Sequence, residues 1–495
     1  MFKHLKNLLT RKPQRRSLHG LHVPLGVNSR YDAAATTQEN RRHWAYADLL
    51  SAGAANGPQV RRVLRSRARY EVANNSYARG IAITLANDCV GTGPILQMLT
   101  DDADANRLIE REFTRWAECV DLSEKLRTMR LARAQDGEAF CMLVANPKLD
   151  SPVKLDLRLI EADQVATPDL ARQATNTNAT DGIVFDRSGN PVEYHILKGH
   201  PGDDRGRLSL DYDHVPALAM IHYFRTDRPG QQRGIPEIMP ALPLFAQLRR
   251  YTLAVIAAAE TAADFAAVLF TDAPANGEAD AVEPMDMVEL ERRMATVLPG
   301  GWKLGQIRAE QPSTGFAEFK KEILNEIARC LNMPYNVAAG NSSGYNYASG
   351  RLDHQTYYKS IRVDQAEMAL VVLDRVLRAW LDEAILISDL LPLWMRTTVF
   401  RDLPHQWFWD GQEHVDPAKE ANAQATRLAS HTTTLAYEYA RQGRDWENAL
   451  RQRAKEITLM HDLGLDSADT QSDVTEDNDS QEQKEKDHAP SQTEE

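Results

Sequence analysis

The run Arg351–Ser388, RLDHQTYYKSIRVDQAEMALVVLDRVLRAWLDEAILIS, contains neither glycine nor proline. Those two residues most often end helices, so the run predicts one continuous helix. At 1.5 Å per residue it would be about 55 Å long, whereas helices in globular domains average about 11–12 residues. A helix of that length reads as an elongated structural part. Just before it, Ala339–Gly350 (AGNSSGYNYASG) is small, polar and uncharged, and reads as a loop. Further upstream, Phe316, Phe319, Ile323, Ile327 and Leu331 share one face of a helix predicted over Phe316–Asn332, which Pro334 ends. Its charged face carries Lys320 and Lys321 among Glu318, Glu322 and Glu326. A solvated face with i,i+4 pairs is the ordinary reading, and weak contact with a passing polyanion is the functional one.

Leu244–Phe270 lacks glycine and proline and predicts a helix about 40 Å long. Eight alanines lie between Tyr251 and Val268, and small side chains let a neighbouring helix approach closely. Between the two helices, Met287–Thr296 reads as helical and Trp302–Ile307 as a strand. Nearer the start, residues 35–56 read as helical. Gln59–Thr92 reads as a long helix breaking near Asn74-Asn75-Ser76, with Val60, Val63, Leu64 and Ala68 turned inward and Arg61, Arg62, Arg65, Arg67 and Arg69 outward. Arg107–Asp136 is helical again. Ala139–Ala145, Leu155–Ile160, Ile183–Phe185, Val192–Leu197 and Ala219–Phe224 then form a β-rich module over 137–224. Pro392–Val415 is irregular, and Pro417–Leu463 is helical with a break near Gly443. The fold class is α+β, predominantly helical.

Composition narrows the function. Hydrophobic residues make up 43% and charged residues 26% of the 495, ordinary values for a globular protein. The net charge is −12. Residues 1–30 carry seven Lys/Arg and no acid, a basic flexible arm. Residues 466–495 carry eleven Asp/Glu against two Lys, an acidic tail too poor in apolar residues to order itself. An acidic body argues against tight, sequence-independent gripping of nucleic acid, which needs Lys and Arg on phosphates. The four cysteines form no CxxC pair. The most apolar long run, Tyr251–Phe270, carries Glu260 and Asp264 and is a poor membrane span. No phosphate-cradling GxxxxGK[ST] occurs.

Several short motifs read as ordinary structure. Gly340-Asn341-Ser342-Ser343-Gly344 matches the GxSxG of a serine hydrolase, but follows a helix end rather than a strand. Gly91-Thr92-Gly93 reads as a helix stop. Asp101, Asp102 and Asp104 suit a helix start, and Asp211-Tyr212-Asp213-His214 a solvated loop. His405 and His414 read as packed or surface residues. No catalytic residue, cofactor or metal centre is expected.

Five segments together resemble the lambda-type portal proteins of tailed bacteriophages. They are Arg67–Gly80 (RARYEVANNSYARG), Asp136–Phe140 (DGEAF), Leu159–Gln164 (LIEADQ), Gly230–Pro236 (GQQRGIP) and Asn346–Arg351 (NYASGR). Ser76 stands where that family usually has proline, and Ala348 where it usually has serine. The resemblance implies a portal fold: a wing, a two-helix stem, a clip, a tunnel loop, a long spine helix and a helical crown. On this chain they fall at 31–235 (wing), 236–270 (first stem helix), 271–315 (clip), 316–334 (second stem helix), 339–350 (tunnel loop), 351–415 (spine helix and return to the wing) and 416–465 (crown). It implies a homo-oligomeric ring, dodecameric in the virion, at one capsid vertex, assembled in the host cytoplasm. Double-stranded DNA would pass through it weakly held. The implied partners are the terminase large subunit, the major capsid protein and scaffold, and head–tail connector proteins, with no membrane. The residues assigned to the DNA channel are Asn341, Ser342, Ser343, Tyr345, Asn346 and Tyr347, with Lys320 and Lys321 on the channel side. The rival readings are a serine hydrolase using Ser342 and a helical adaptor that makes no channel.

Overall fold

A computed structural model describes residues 37–167, 179–203, 211–264, 268–271, 302–305, 315–344, 346–400, 403–411 and 417–465. The basic arm, the acidic tail, Tyr345, His414, the Met287–Thr296 helix and most of the expected clip lie outside them. The chain divides into two units, Met1–Ser51 and Ala52–Glu495. In the first, residues 38–46 form successive turns, with the Trp44 amide donating to the Asn40 carbonyl (3.1 Å). Of the helix expected over 35–56, only Ala52–Ala55 is helical among the described residues. Trp44, Tyr46, Leu49 and Leu50 are all exposed, and a short helix without a buried face is marginal in water.

The second unit begins with α1 (Ala52–Ala55), α2 (Pro58–Asn74) and α3 (Ser76–Val90). Asn75 separates α2 from α3, and its side chain accepts from the amides of Tyr77 (3.1 Å) and Ala78 (3.5 Å). Ser76 is the first helical residue, a position that suits proline and tolerates serine, so the departure from the family pattern leaves the helix start intact. Gly91 caps α3 at φ 58°, and the neighbouring Thr92 amide donates to Asp410, so Gly91-Thr92-Gly93 is a helix stop. Strand β1 (Ile95–Met98), α4 (Ala103–Cys119) and α5 (Leu122–Asp136) follow. Asp102 is the N-cap of α4 and accepts from the Asp104 and Ala105 amides.

The β-rich module contains β2 (Glu138–Ala145), β3 (Leu155–Ile160), β4 (Ala179–Thr180), β5 (Ile183–Phe185), β6 (Pro191–Leu197), β7 (Tyr212–Pro216) and β8 (Met220–Phe224). It forms two antiparallel sheets, β3-β2-β8 and β4-β5-β6-β7. The expected solvated loop at Asp211–His214 is instead largely strand β7. It pairs with β6 from Leu197↔Tyr212 to Glu193↔Pro216, and its Val215 is buried.

Next come α6 (Leu242–Asp264), β9 (Val268–Thr271), β10 (Trp302–Gly305), α7 (Gly315–Arg329) and α8 (Tyr335–Ala339). The helix expected through Phe270 therefore stops earlier. Val268–Thr271 pairs antiparallel with Trp302–Gly305, and β-branched and aromatic side chains suit that pairing. The long run forms α9 (Tyr347–Met368), a π-helical turn at Ala369–Leu373, and α10 (Asp374–Ala384). It starts before Arg351 and ends before Ser388. Tyr357 and Ile361 of α9 pack in one hydrophobic core with α2, α3, α6 and α7. Met368, Val372, Leu377 and Trp380 pack in another with α4, α5 and β2. The π turn sits at the crossover, where one residue more per turn re-aims the apolar face. A third cluster, with Phe140, Tyr194 and Ile196, lies in the β-rich module. β11 (His405–Phe408) pairs with β1, and α11 (Pro417–Ala429), α12 (Leu435–Arg441) and α13 (Trp446–Asp462) complete the described chain. The C-terminal helical stretch breaks near Gly443, as expected, and again at Ser430–Thr434. No helix among the described residues is long and apolar enough to cross a membrane.

Candidate channel loop and its ionic support

The loop after α8 begins at Gly340, which caps that helix in the left-handed region (φ 61°). The Ser343 amide donates to the Asn341 side chain (2.9 Å), and Gly344 turns the chain at φ 82°. Asn341, Ser342, Ser343, Gly344 and Asn346 are exposed; Tyr345 lies outside the described residues, and Tyr347 opens α9. Helix α8, not a strand, precedes Ser342, so the buried strand that a hydrolase elbow requires is missing at this position.

The base of the loop is fixed. Asn336 of α8 donates to His354 of α9 (2.8 Å), and Tyr357 of α9 donates to Asp88 of α3 (2.7 Å). Ala338 is buried against the same core as Leu324 and Ile327. Lys320 and Lys321 of α7 do not pair with the acids of their own helix among the described residues. The Lys320 ammonium lies 5.0 Å from the Tyr77 ring centre and Lys321 lies 5.6 Å from that of Tyr335. Aromatic faces attract such cations, so both are partly held within the chain. His405, read as a packed or surface residue, is half-buried and bonds Asp374 (3.2 Å).

Four of the five segments that carried the family resemblance meet in space. Glu138 of the DGEAF segment is buried and accepts from Arg233 Nε (2.8 Å) and Nη2 (2.7 Å), the Gly234 amide (3.0 Å) and His222 Nε2 (3.0 Å). Burial alone would raise its pKa, but Arg233 and His222 hold the carboxyl well below the ordinary range. Arg233 also donates to the Val165 carbonyl (3.0 Å). The two backbones touch: a Cβ on Gly234 would lie 2.0 Å from the Gly137 carbonyl oxygen. Arg65 and Arg69 of α2 reach Asp163 at 3.4 and 2.8 Å, and Arg69 bonds Asp136 at 2.6 Å. Arg61 pairs with Asp181.

This corrects the expected orientation of α2. Arg61 and Arg65 are buried, at 3% and 5% exposure, while Val60 and Val63 face outward. The carboxylates of Asp136, Glu138, Asp163 and Asp181 supply the counter-charge that makes burial of guanidinium groups tolerable. Periodicity alone put the valines inside; the acidic residues at the later motifs were the available signal against it.

A second buried network joins α5, α9 and the segment before α6. Arg130 bonds Glu237 (2.8 Å) and Asp364 (2.7 Å), and Arg133 bonds Glu237 (2.9 Å) and Glu367 (2.7 Å). Burial pushes the Glu237 carboxyl upward, but Arg130, Arg133 and Arg225 outweigh it and bring its pKa down to about 2. A depressed folded-state pKa gives stability that is present above the ordinary value of 4.5 and fades as pH falls toward about 2. Glu237→Gln is therefore expected to destabilise the protein at pH 7, with the difference from wild type shrinking as pH falls through that window. Urea melts at pH 7, 4 and 3 check it, and a constant difference would contradict it.

Residues 40–365 match the family described as "Phage portal protein, lambda family". The chain belongs to this family. The match takes in all four segments that converge on the buried ion pairs, and the loop before α9. The "Probable portal protein" of Halomonas phage phiHAP-1 is 26% identical over 431 residues, 81% of each chain. Portal protein B of Escherichia phage lambda is 21% identical, over 73% of this chain and 75% of that one. Among solved structures, a chain from the neck of an empty gene transfer agent particle aligns with a TM-score of 0.45 at 16% identity, over 76% of this chain and 92% of that one. Lambda-family portals are structural proteins, not enzymes, and the observed α+β, predominantly helical fold is the one expected of this chain.

Proposed function

We propose that this portal protein forms a ring, dodecameric in the virion, at one capsid vertex, and that double-stranded DNA is packaged and ejected through its centre. The observation that carries the proposal is the family match across residues 40–365. On this reading the ring docks the terminase large subunit during packaging and head–tail connector proteins afterwards, against a shell of capsid protein and scaffold. Helices α2–α5 and the β-rich module form the wing, α6 and α7 the stem, α9 and α10 the spine, and α11–α13 the crown.

The loop from Gly340 to Tyr347 lines the channel. A conduit must hold its cargo weakly at every position, and an uncharged loop of glycine, serine and asparagine offers hydrogen bonds without lasting phosphate pairs. Lys320 and Lys321 add positive charge tempered by the aromatic rings they rest on. The double variant Asn341→Lys with Ser343→Lys is expected to leave rings intact and impair packaging, more so at low salt, because lysines add salt-dependent affinity for phosphate. DNA content of particles assembled with the variant measures it. Normal packaging would refute the loop assignment while leaving the ring itself standing.

A further inference from the structure

The sheet β4-β5-β6-β7 carries a cluster that the channel role does not use. Glu193 and His195 are two residues apart on β6, and His214 of β7 is the direct cross-strand partner of His195. Alternation along a strand then puts all three side chains on one face. Their potential ligand atoms lie within 4.8 Å of one another. Glu193 Oε1 is 3.2 Å from His195 Nε2 and 2.5 Å from His214 Nδ1.

We propose that Glu193, His195 and His214 form a binding site for a divalent transition-metal ion of the zinc type, ligated through Oε1, Nε2 and Nδ1. Two imidazoles and one carboxylate suit zinc and its neighbours rather than magnesium or calcium, which prefer all-oxygen sites. Bonds of about 2.0–2.1 Å in a tetrahedron separate ligand atoms by about 3.3–3.4 Å. The Glu193–His195 separation already matches. The Glu193–His214 pair must open by a turn of the exposed His214 ring, which rests against His195 and Tyr212. His195 is buried and oriented from behind. Its Nδ1 lies 3.0 Å from Thr167 Oγ1, which itself accepts from the Gly182 amide (2.9 Å). With the neutral ring's proton on Nδ1 and donated to Thr167, Nε2 presents its lone pair to the metal. A ligating histidine is commonly held this way by an outer partner. Bound metal would brace β6 against β7 and leave a fourth position to water.

A second group, Glu161, Asp163 and His200, is a poorer candidate. Arg69 lies 2.8 Å from Asp163 and 3.5 Å from Glu161, so its carboxylates already serve a guanidinium.

The test is zinc titration of the full-length protein by calorimetry and thermal melting, with magnesium as the comparison ion, repeated with cobalt to read the coordination spectrum. Zinc is expected to raise the melting temperature and magnesium to leave it unchanged. His214→Ala and Glu193→Gln, both on accessible side chains, are expected to weaken zinc binding at least about tenfold. His200→Ala is expected to bind zinc as the wild type does. Equal affinity in wild type, His214→Ala and Glu193→Gln, or a loss seen with His200→Ala instead, overturns the proposal. So does a wild type whose melting temperature zinc does not move.

Discussion

Glu138→Ala is expected to destabilise the protein by about 3–5 kcal/mol, because it removes the nearest counter-charge from buried Arg233. Arg233 would lose its bonds to the Glu138 carboxylate and keep only the longer contact to Asp181 (3.4 Å), Arg65 would be left with Asp163 (3.4 Å), and the Gly234 amide would lose its acceptor. The loss would spread, since the same carboxylate joins β2 to the segment that leads into α6. Glu138→Leu with Arg233→Met removes both charges and keeps bulk, and is expected to recover much of the lost stability, as uncharged replacements of buried ion pairs often do. Denaturant melts of the three proteins measure both effects. A Glu138→Ala variant within about 1 kcal/mol of wild type would show that the buried pair contributes little.

Ala258→Trp is expected to abolish ring assembly while leaving the single chain folded. Ala258 is exposed on α6, one turn on from the exposed Ala254 and on the same side of the helix. In the proposed ring this apolar, small-residue face packs against the neighbouring subunit, and a tryptophan there overfills a close helix contact. Because the site is open in one chain, the monomer has room for the larger side chain. Light scattering after gel filtration separates the outcomes, with a melting curve to confirm folding. Rings of normal mass would place α6 away from the subunit interface.

Much of this was legible in the sequence for identifiable physical reasons. The break at Asn75, the glycine stop after α3, the strands Leu155–Ile160 and Ile183–Phe185 and the run through α9 and α10 follow from local capping, turn chemistry and the absence of helix breakers. Three of the failures share one cause, which is that partners beyond the local stretch outvote its pattern. The valines of α2 lost the interior to arginines because the opposing carboxylates come from segments about 70 to 120 residues away. Val268–Thr271 left the helix because a strand about 30 residues on was available to pair with it. Asp211–His214 looked like a polar loop because its Asp, Tyr, Asp and His side chains show no apolar run, and only pairing with the preceding strand β6 makes it a strand. The loop after α8 was legible as a loop, since glycine, serine and asparagine set it. The hydrogen bond from Asn336 to His354 that holds its base was not, because neither residue carries a signal alone.

Electron microscopy of the purified full-length chain tests the central claim most directly. The account predicts closed rings of identical subunits around an aqueous hole that admits a DNA duplex. Compact single chains under conditions that support capsid assembly would contradict it.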